Sequence, residues 1–132
     1  MLLYFLDTHA FPPEPVGRDA SGALVWGMWV SGSGRADIIV RTDYPIRAME
    51  VEALSPVQTR LTVSLGGAPV TTALQPMKAA TFVVPVSGVR GWKDYNYLMT
   101  AQSTDGFVPR LGDPRSTDFR NLGAQLKFRP VK

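Results

Sequence analysis

The sequence predicts an all-β domain: an antiparallel two-sheet β-sandwich, jelly-roll-like, with eight or nine strands. Three observations carry that prediction. Apolar runs of strand length, rich in valine, leucine and aromatics, alternate with polar positions at a period of two. Twelve glycines and eleven prolines punctuate the chain instead of clustering. No stretch carries the stripe of an amphipathic helix. The 132 residues suit one domain, so residues 1–132 are read as a single unit. Eight or nine strands cannot stay in one flat sheet without curling, and two packed sheets follow.

Strands are expected at about 2–6, 24–30, 36–42, 46–54, 59–65, 70–75, 79–86, 94–103 and 121–129. The first, Leu2-Leu3-Tyr4-Phe5-Leu6, ends at Asp7. Residues 8–23 read as irregular chain, and Pro12-Pro13 suggests a stiff loop lying across one end of the sandwich. The next strand holds Trp26 and Trp29, three apart and so on opposite faces, one for the core and one exposed or covered by a loop. After the flexible turn Ser31-Gly32-Ser33-Gly34, Ala36, Ile38 and Val40 alternate with Asp37, Ile39 and Arg41. Asp43-Tyr44-Pro45 bends the chain, since Pro45 cannot donate to a ladder. Leu61, Val63 and Leu65 alternate with Thr62 and Ser64, and Gly66-Gly67 suits a tight hairpin because glycine reaches positive φ without strain. Residues 104–120 form a second long irregular stretch. The last strand sets Leu122, Ala124, Leu126 and Phe128 against Gly123, Gln125, Lys127 and Arg129.

Composition narrows the chemistry. Without cysteine there are no disulfides, thiolate catalysis or cysteine-ligated metals. His9 is the only histidine, so any triad would run through it and no two-histidine metal site exists within the chain. The net charge is +3, with the basic excess in residues 90–132. That bias is too mild for a nucleic-acid face. Met1–Leu6 is too short for membrane insertion, which takes about 20 residues as a helix. It also lacks the basic leader and cleavage site of a signal peptide. The chain is therefore read as cytoplasmic, or as the end of a longer chain in which Met1 is not the native start.

Two segments carry candidate function. Trp92, Tyr95 and Tyr97 form an aromatic strip, Tyr95 and Tyr97 sharing a face, and exposed rings beside polar groups stack on sugars. The alternative is that the two tyrosines pad the core. Within residues 105–120, Asp105, Asp113 and Asp118 alternate with Arg110, Arg115 and Arg120. These could hold calcium through carboxylates, bind a polar ligand through Arg110 and Arg115, or clamp the loop by arginine–carboxylate pairing. Equal numbers of opposite charges favour the clamp, and the spacing matches no helix–loop–helix calcium site. No cofactor is expected, with calcium the one alternative. His9, near Asp7 and Glu14, reads as an ordinary loop residue. Glu50 and Glu52 share a polar strand face about 6–7 Å apart, close enough for paired-carboxylate chemistry but without a cleft. No nucleophile elbow or phosphate loop occurs, and the domain is read as non-catalytic.

Asp105-Gly106-Phe107-Val108-Pro109, Ser116-Thr117-Asp118-Phe119-Arg120-Asn121-Leu122-Gly123, Leu126 and Phe128 resemble the closing stretch of a poorly characterised bacterial β-sandwich domain. Such domains lie at the C-terminal ends of large membrane-bound sugar-transfer or other envelope proteins. Tyr4-Phe5-Leu6-Asp7, Pro13-Glu14 and Trp29-Val30 resemble its start. The resemblance implies an accessory domain outside the cytoplasm, facing envelope glycans or packing on a parent membrane protein. It also implies a structural signature at Asp118, Arg120 and Gly123. This chain shows no transmembrane segment, so no transferase activity carries over. Two functions follow as expectations: a carbohydrate-facing binding module, or an assembly domain that packs on a parent or partner protein.

Overall fold

A computed structural model describes residues 1–132 as two antiparallel β-sheets packed face to face. The strands are β1 (Leu2–Phe5), β2 (Ala10–Arg18), β3 (Leu24–Ser31), β4 (Arg35–Thr42), β5 (Ala48–Leu54), β6 (Thr59–Leu65), β7 (Val70–Leu74), β8 (Ala80–Pro85), β9 (Val89–Arg90), β10 (Tyr95–Ser103) and β11 (Leu122–Val131). A single helical turn, α1 (Pro109–Gly112), starts on Pro109, where the missing N–H costs nothing. No helix is long and apolar enough to cross a membrane.

One sheet has the order β1-β4-β10-β6-β7 with β9 paired to β10, and the other the order β2-β3-β11-β5-β8. If β1, β2 and β9 are set aside, the remaining eight strands, renumbered in chain order, run 2-7-4-5 in one sheet and 1-8-3-6 in the other. That is the interleaved double Greek key of a jelly roll, in which every successive pair of these eight strands except β6 and β7 crosses between the sheets. β1 and β2 extend one edge of each sheet.

The period-two pattern selects the core. Ala36, Ile38 and Val40 of β4 face Met28 and Val30 of β3 across the interior, with Leu61, Val63, Leu65, Met49, Val51, Met99 and Leu126 filling the layer between the sheets. Each fully buried side chain of this kind contributes roughly 1.5–3 kcal/mol.

Three sequence expectations need correction. The chain forms eleven strands, not eight or nine, because proline-rich residues 10–18 pair as β2 and the two residues Val89–Arg90 pair as β9. β2 contains Pro12, Pro13 and Pro15, yet it pairs with β3 through two register shifts, between Phe11 and Glu14 and between Pro15 and Gly17. It lies at a sheet edge, where the missing N–H groups can fall on the unpaired side. Trp26 and Trp29 do face opposite sides, but neither joins the core. Trp26 shares a face with Met28 and Val30 yet sits at the end of the strand, 55% exposed. Trp29 lies on the outer face, half-buried beneath Phe107 at 5.8 Å, edge to face.

Candidate functional site

Strand direction sorts the connections into two ends. The 19–23, 43–47, 66–69 and 86–94 connections lie at one end, and the 6–9, 32–34, 55–58, 75–79 and 104–121 connections at the other. Trp92 and Tyr95 therefore sit at the opposite end from Arg110 and Arg115. The structure does not bring the predicted ligand residues together.

At the first end, β9 and β10 form a hairpin with Arg90 opposite Tyr95 and Val89 opposite Asn96. The Gly91 N–H donates to the Asp94 carbonyl at 2.7 Å and closes the turn. The Asp94 carboxylate accepts from Asn96 Nδ2 at 3.1 Å and pairs with Arg41 of β4, which ties the turn to the sheet. On this braced turn Trp92 is 88% exposed. The Lys93 ammonium lies 4.4 Å from its ring centroid, and Val89 beside it is exposed as well. Arg90 stands over the half-buried Tyr95 ring at 5.8 Å, and Lys132 over Tyr44 at 4.2 Å. Aromatic rings and cations are thus paired three times at this end.

Tyr97 belongs to the core. It is 4% exposed, and its hydroxyl accepts the Ile46 N–H at 3.0 Å. A β-carbon on Gly88 would overlap its ring, so that close approach requires glycine. Tyr95 and Tyr97 share a face as expected, and it is the inner one, as the core-padding alternative has it, with Tyr95 also packed on the core. Only Trp92 of the strip is free to stack on a ligand.

At the other end the three aspartates do not converge. The Asp113 carboxylate accepts the Arg115 N–H at 3.0 Å, and Asp105 Oδ2 accepts from Thr104 Oγ1 at 2.8 Å. Asp118 receives Arg120 Nε at 3.0 and 3.2 Å and Nη2 at 2.7 Å. No three histidine, aspartate or glutamate side chains come together as a metal-binding group, so the expected Asp105–Asp113–Asp118 calcium set does not assemble. The reason is local: each carboxylate is turned toward donors of its own short turn.

Arg120 is the hub of the 104–121 segment. Besides Asp118 it reaches Glu14 Oε1 at 3.4 Å and lies 5.0 Å over the Phe11 ring, both on β2. Its hydrogen bonds to Asp118 hold that carboxyl below the usual range, and the same pair raises the guanidinium's own value. Gly123 sits where β11 shifts register against β3. A β-carbon there would lie 2.7 Å from Ser103 Cβ and 2.7 Å from the Ser31 carbonyl. Arg115 is exposed and Arg110 half-buried, its backbone N–H donating to the Asp118 carbonyl at 2.9 Å.

The remaining candidates are engaged singly. Burial pushes the Asp7 carboxyl up. The N–H groups of His9 and Asp37, with the His9 ring at 3.5 Å, outweigh it and leave the carboxyl below its ordinary value. Glu50 and Glu52 stand on the open outer face, opposite Arg129 at 2.5 Å and Lys127 at 3.8 Å.

One feature was not legible in the sequence. Leu3, Phe5, Trp26, Met28, Leu126 and Phe128 line most of an apolar groove of about 400 Å³ between the sheets. Its walls come from residues up to a chain length apart, so no local pattern announces it.

No family model matches the chain, and no curated protein matches it. Among solved structures it is similar to a family GH115 4-O-methyl-alpha-glucuronidase with specificity for decorated arabinogalactans. The two share 15% identity at a TM-score of 0.42, over 94% of this chain and 17% of that one. This chain therefore spans about 17% of that protein's length, and nothing of the enzyme's chemistry transfers with so loose an overlay.

Proposed function

We propose that this domain is a non-catalytic accessory module that binds carbohydrate through the β9–β10 hairpin, carried on a longer chain at the bacterial envelope. The observation that carries the reading is the Trp92 ring, 88% exposed on a turn braced by Asp94 and Arg41. A rigid aromatic face offers stacking area to a sugar ring at little entropic cost, and Arg90 and Lys93 supply donors for hydroxyls beside it. The non-catalytic part is supported by the carboxylates, which are distributed among separate ion pairs and turns instead of facing one another across a cleft.

A screen of the purified domain against bacterial and plant glycans, with calcium and again with chelator, tests it. A hit that is insensitive to chelator and lost in Trp92→Ala is expected. A hit abolished by chelator, or one indifferent to Trp92→Ala, overturns the site. Silence across a validated array overturns sugar binding.

The second reading, an assembly domain, is favoured by a separate observation. Tyr4, Ile39 and Leu98 are in register across three strands on the outer face of one sheet, forming an apolar row flanked by exposed Leu2 and Leu6. Trp92→Ala separates the two readings, because it removes sugar binding and leaves a contact through β1 intact.

A further inference from the structure

β1 is a short edge strand with no protection besides its length. The neighbouring edge β2 carries three prolines and two register shifts, whereas Leu2–Leu6 contains no charged side chain, no proline and no bulge. Such an edge is a template for another strand. The hydrogen-bond parity shows which groups it offers. The Leu6 N–H donates to the Asp37 carbonyl at 3.1 Å, so the even residues turn toward β4 and the odd ones, Leu3 and Phe5, present N–H and C=O groups to the free side.

We propose that this edge pairs with β1 of a second copy, antiparallel, about a two-fold axis at Tyr4. Residues directly opposite must point to the same face. Leu2, Tyr4 and Leu6 point outward, while Leu3 and Phe5 point inward, on the side of the groove. Several registers meet both conditions; the one centred on Tyr4 overlaps the whole of Leu2–Leu6 and sets Leu3 opposite Phe5, each exchanging its free N–H and C=O with the other. It then places Leu2 opposite Leu6 and Tyr4 opposite Tyr4 on the outer face. Every opposed pair is uncharged, and the strand is its own complement, which is what an isologous interface requires. The two apolar rows at Tyr4, Ile39 and Leu98 become one continuous strip across the joined sheets. The inference stands apart from sugar binding.

The test is sedimentation of the whole chain from about 1 µM to about 1 mM, which brackets dissociation constants from micromolar to millimolar. A concentration-dependent dimer is expected. Tyr4→Lys and Tyr4→Glu each place like charges across the axis and should weaken it at least about tenfold, while an equimolar mixture of the two restores it. Should Tyr4→Lys fail to fold, as judged by near-ultraviolet circular dichroism, Leu6→Lys and its charge partner Leu2→Glu serve as the second pair. A monomer at every concentration overturns the proposal, as does a dimer indifferent to both charges. Loss without rescue on mixing overturns the register, and species larger than a dimer overturn the two-fold pairing.

Discussion

The Tyr97 hydroxyl, on the central strand β10 of one sheet, accepts the backbone N–H of Ile46 at 3.0 Å inside the connection that carries the chain from β4 to β5 in the other sheet. A buried donor without a partner is costly, so this contact fixes where the crossover enters the core. Tyr97→Phe keeps the ring and strands the Ile46 N–H. It should lower stability by about 1–3 kcal/mol. Denaturant unfolding checks this, with the midpoint expected to fall and the slope to stay unchanged.

Gly123→Ala should be among the most damaging single changes. The added methyl group would press against Ser103 and the Ser31 carbonyl, both in strands that cannot yield without shifting register. Overpacking of this kind costs about 1–3 kcal/mol, occasionally more. A melting temperature within a degree or so of the parent would refute the steric role.

Arg120→Ala removes two carboxylate partners and the cover over Phe11 together, whereas Asp118→Ala removes one ion pair and the carboxylate that accepts the Arg120 N–H at 3.0 Å. Both sites are partly solvated, so about 1–2 kcal/mol is expected for Arg120→Ala and less for Asp118→Ala. Thermal melts of the two variants and the double variant measure this. An unchanged melting temperature for both single variants would sink the clamp.

Acid should loosen the Asp118–Arg120 pair and the Asp7 contacts alike. The Asp118 and Asp7 carboxyls are held below their ordinary value, so the folded state binds their protons less readily than the unfolded chain does. Their contribution is therefore complete above about pH 4 and is lost as pH falls through their depressed native values. Melting temperature followed downward from neutrality should fall in that acidic window. Asp118→Asn should flatten the fall, and a slope identical to the parent's would contradict the assignment.

Trp92→Ala should leave the fold alone. The ring touches little besides Lys93, and the turn is held by Asp94, Arg41 and the Gly91 N–H. Stability within about 0.5 kcal/mol of the parent is expected. A larger loss, measured by denaturant, would mean that the ring braces the hairpin instead of being displayed by it.

Alternation alone determined a good deal. A period of two needs no knowledge of distant chain, and it marked the inward positions of β4, β6 and β11, the hairpin at Gly66 and the shared face of Tyr95 and Tyr97. Too many strands for one sheet implied two, and the double Greek key followed the jelly-roll expectation. How deeply an inward-facing residue is buried is a different matter, because it depends on what the other sheet places above it. Tyr97 became core for that reason, and Trp26, on an inward face, stayed exposed at the sheet's end. Residues 10–18 paired despite three prolines, since an edge strand needs donors on one side only. Tertiary structure alone carried Arg110 and Arg115 to the opposite end from Trp92 and left β1 at a sheet edge. Strand order sets those distances, and strand order is written in contacts between residues far apart in the chain.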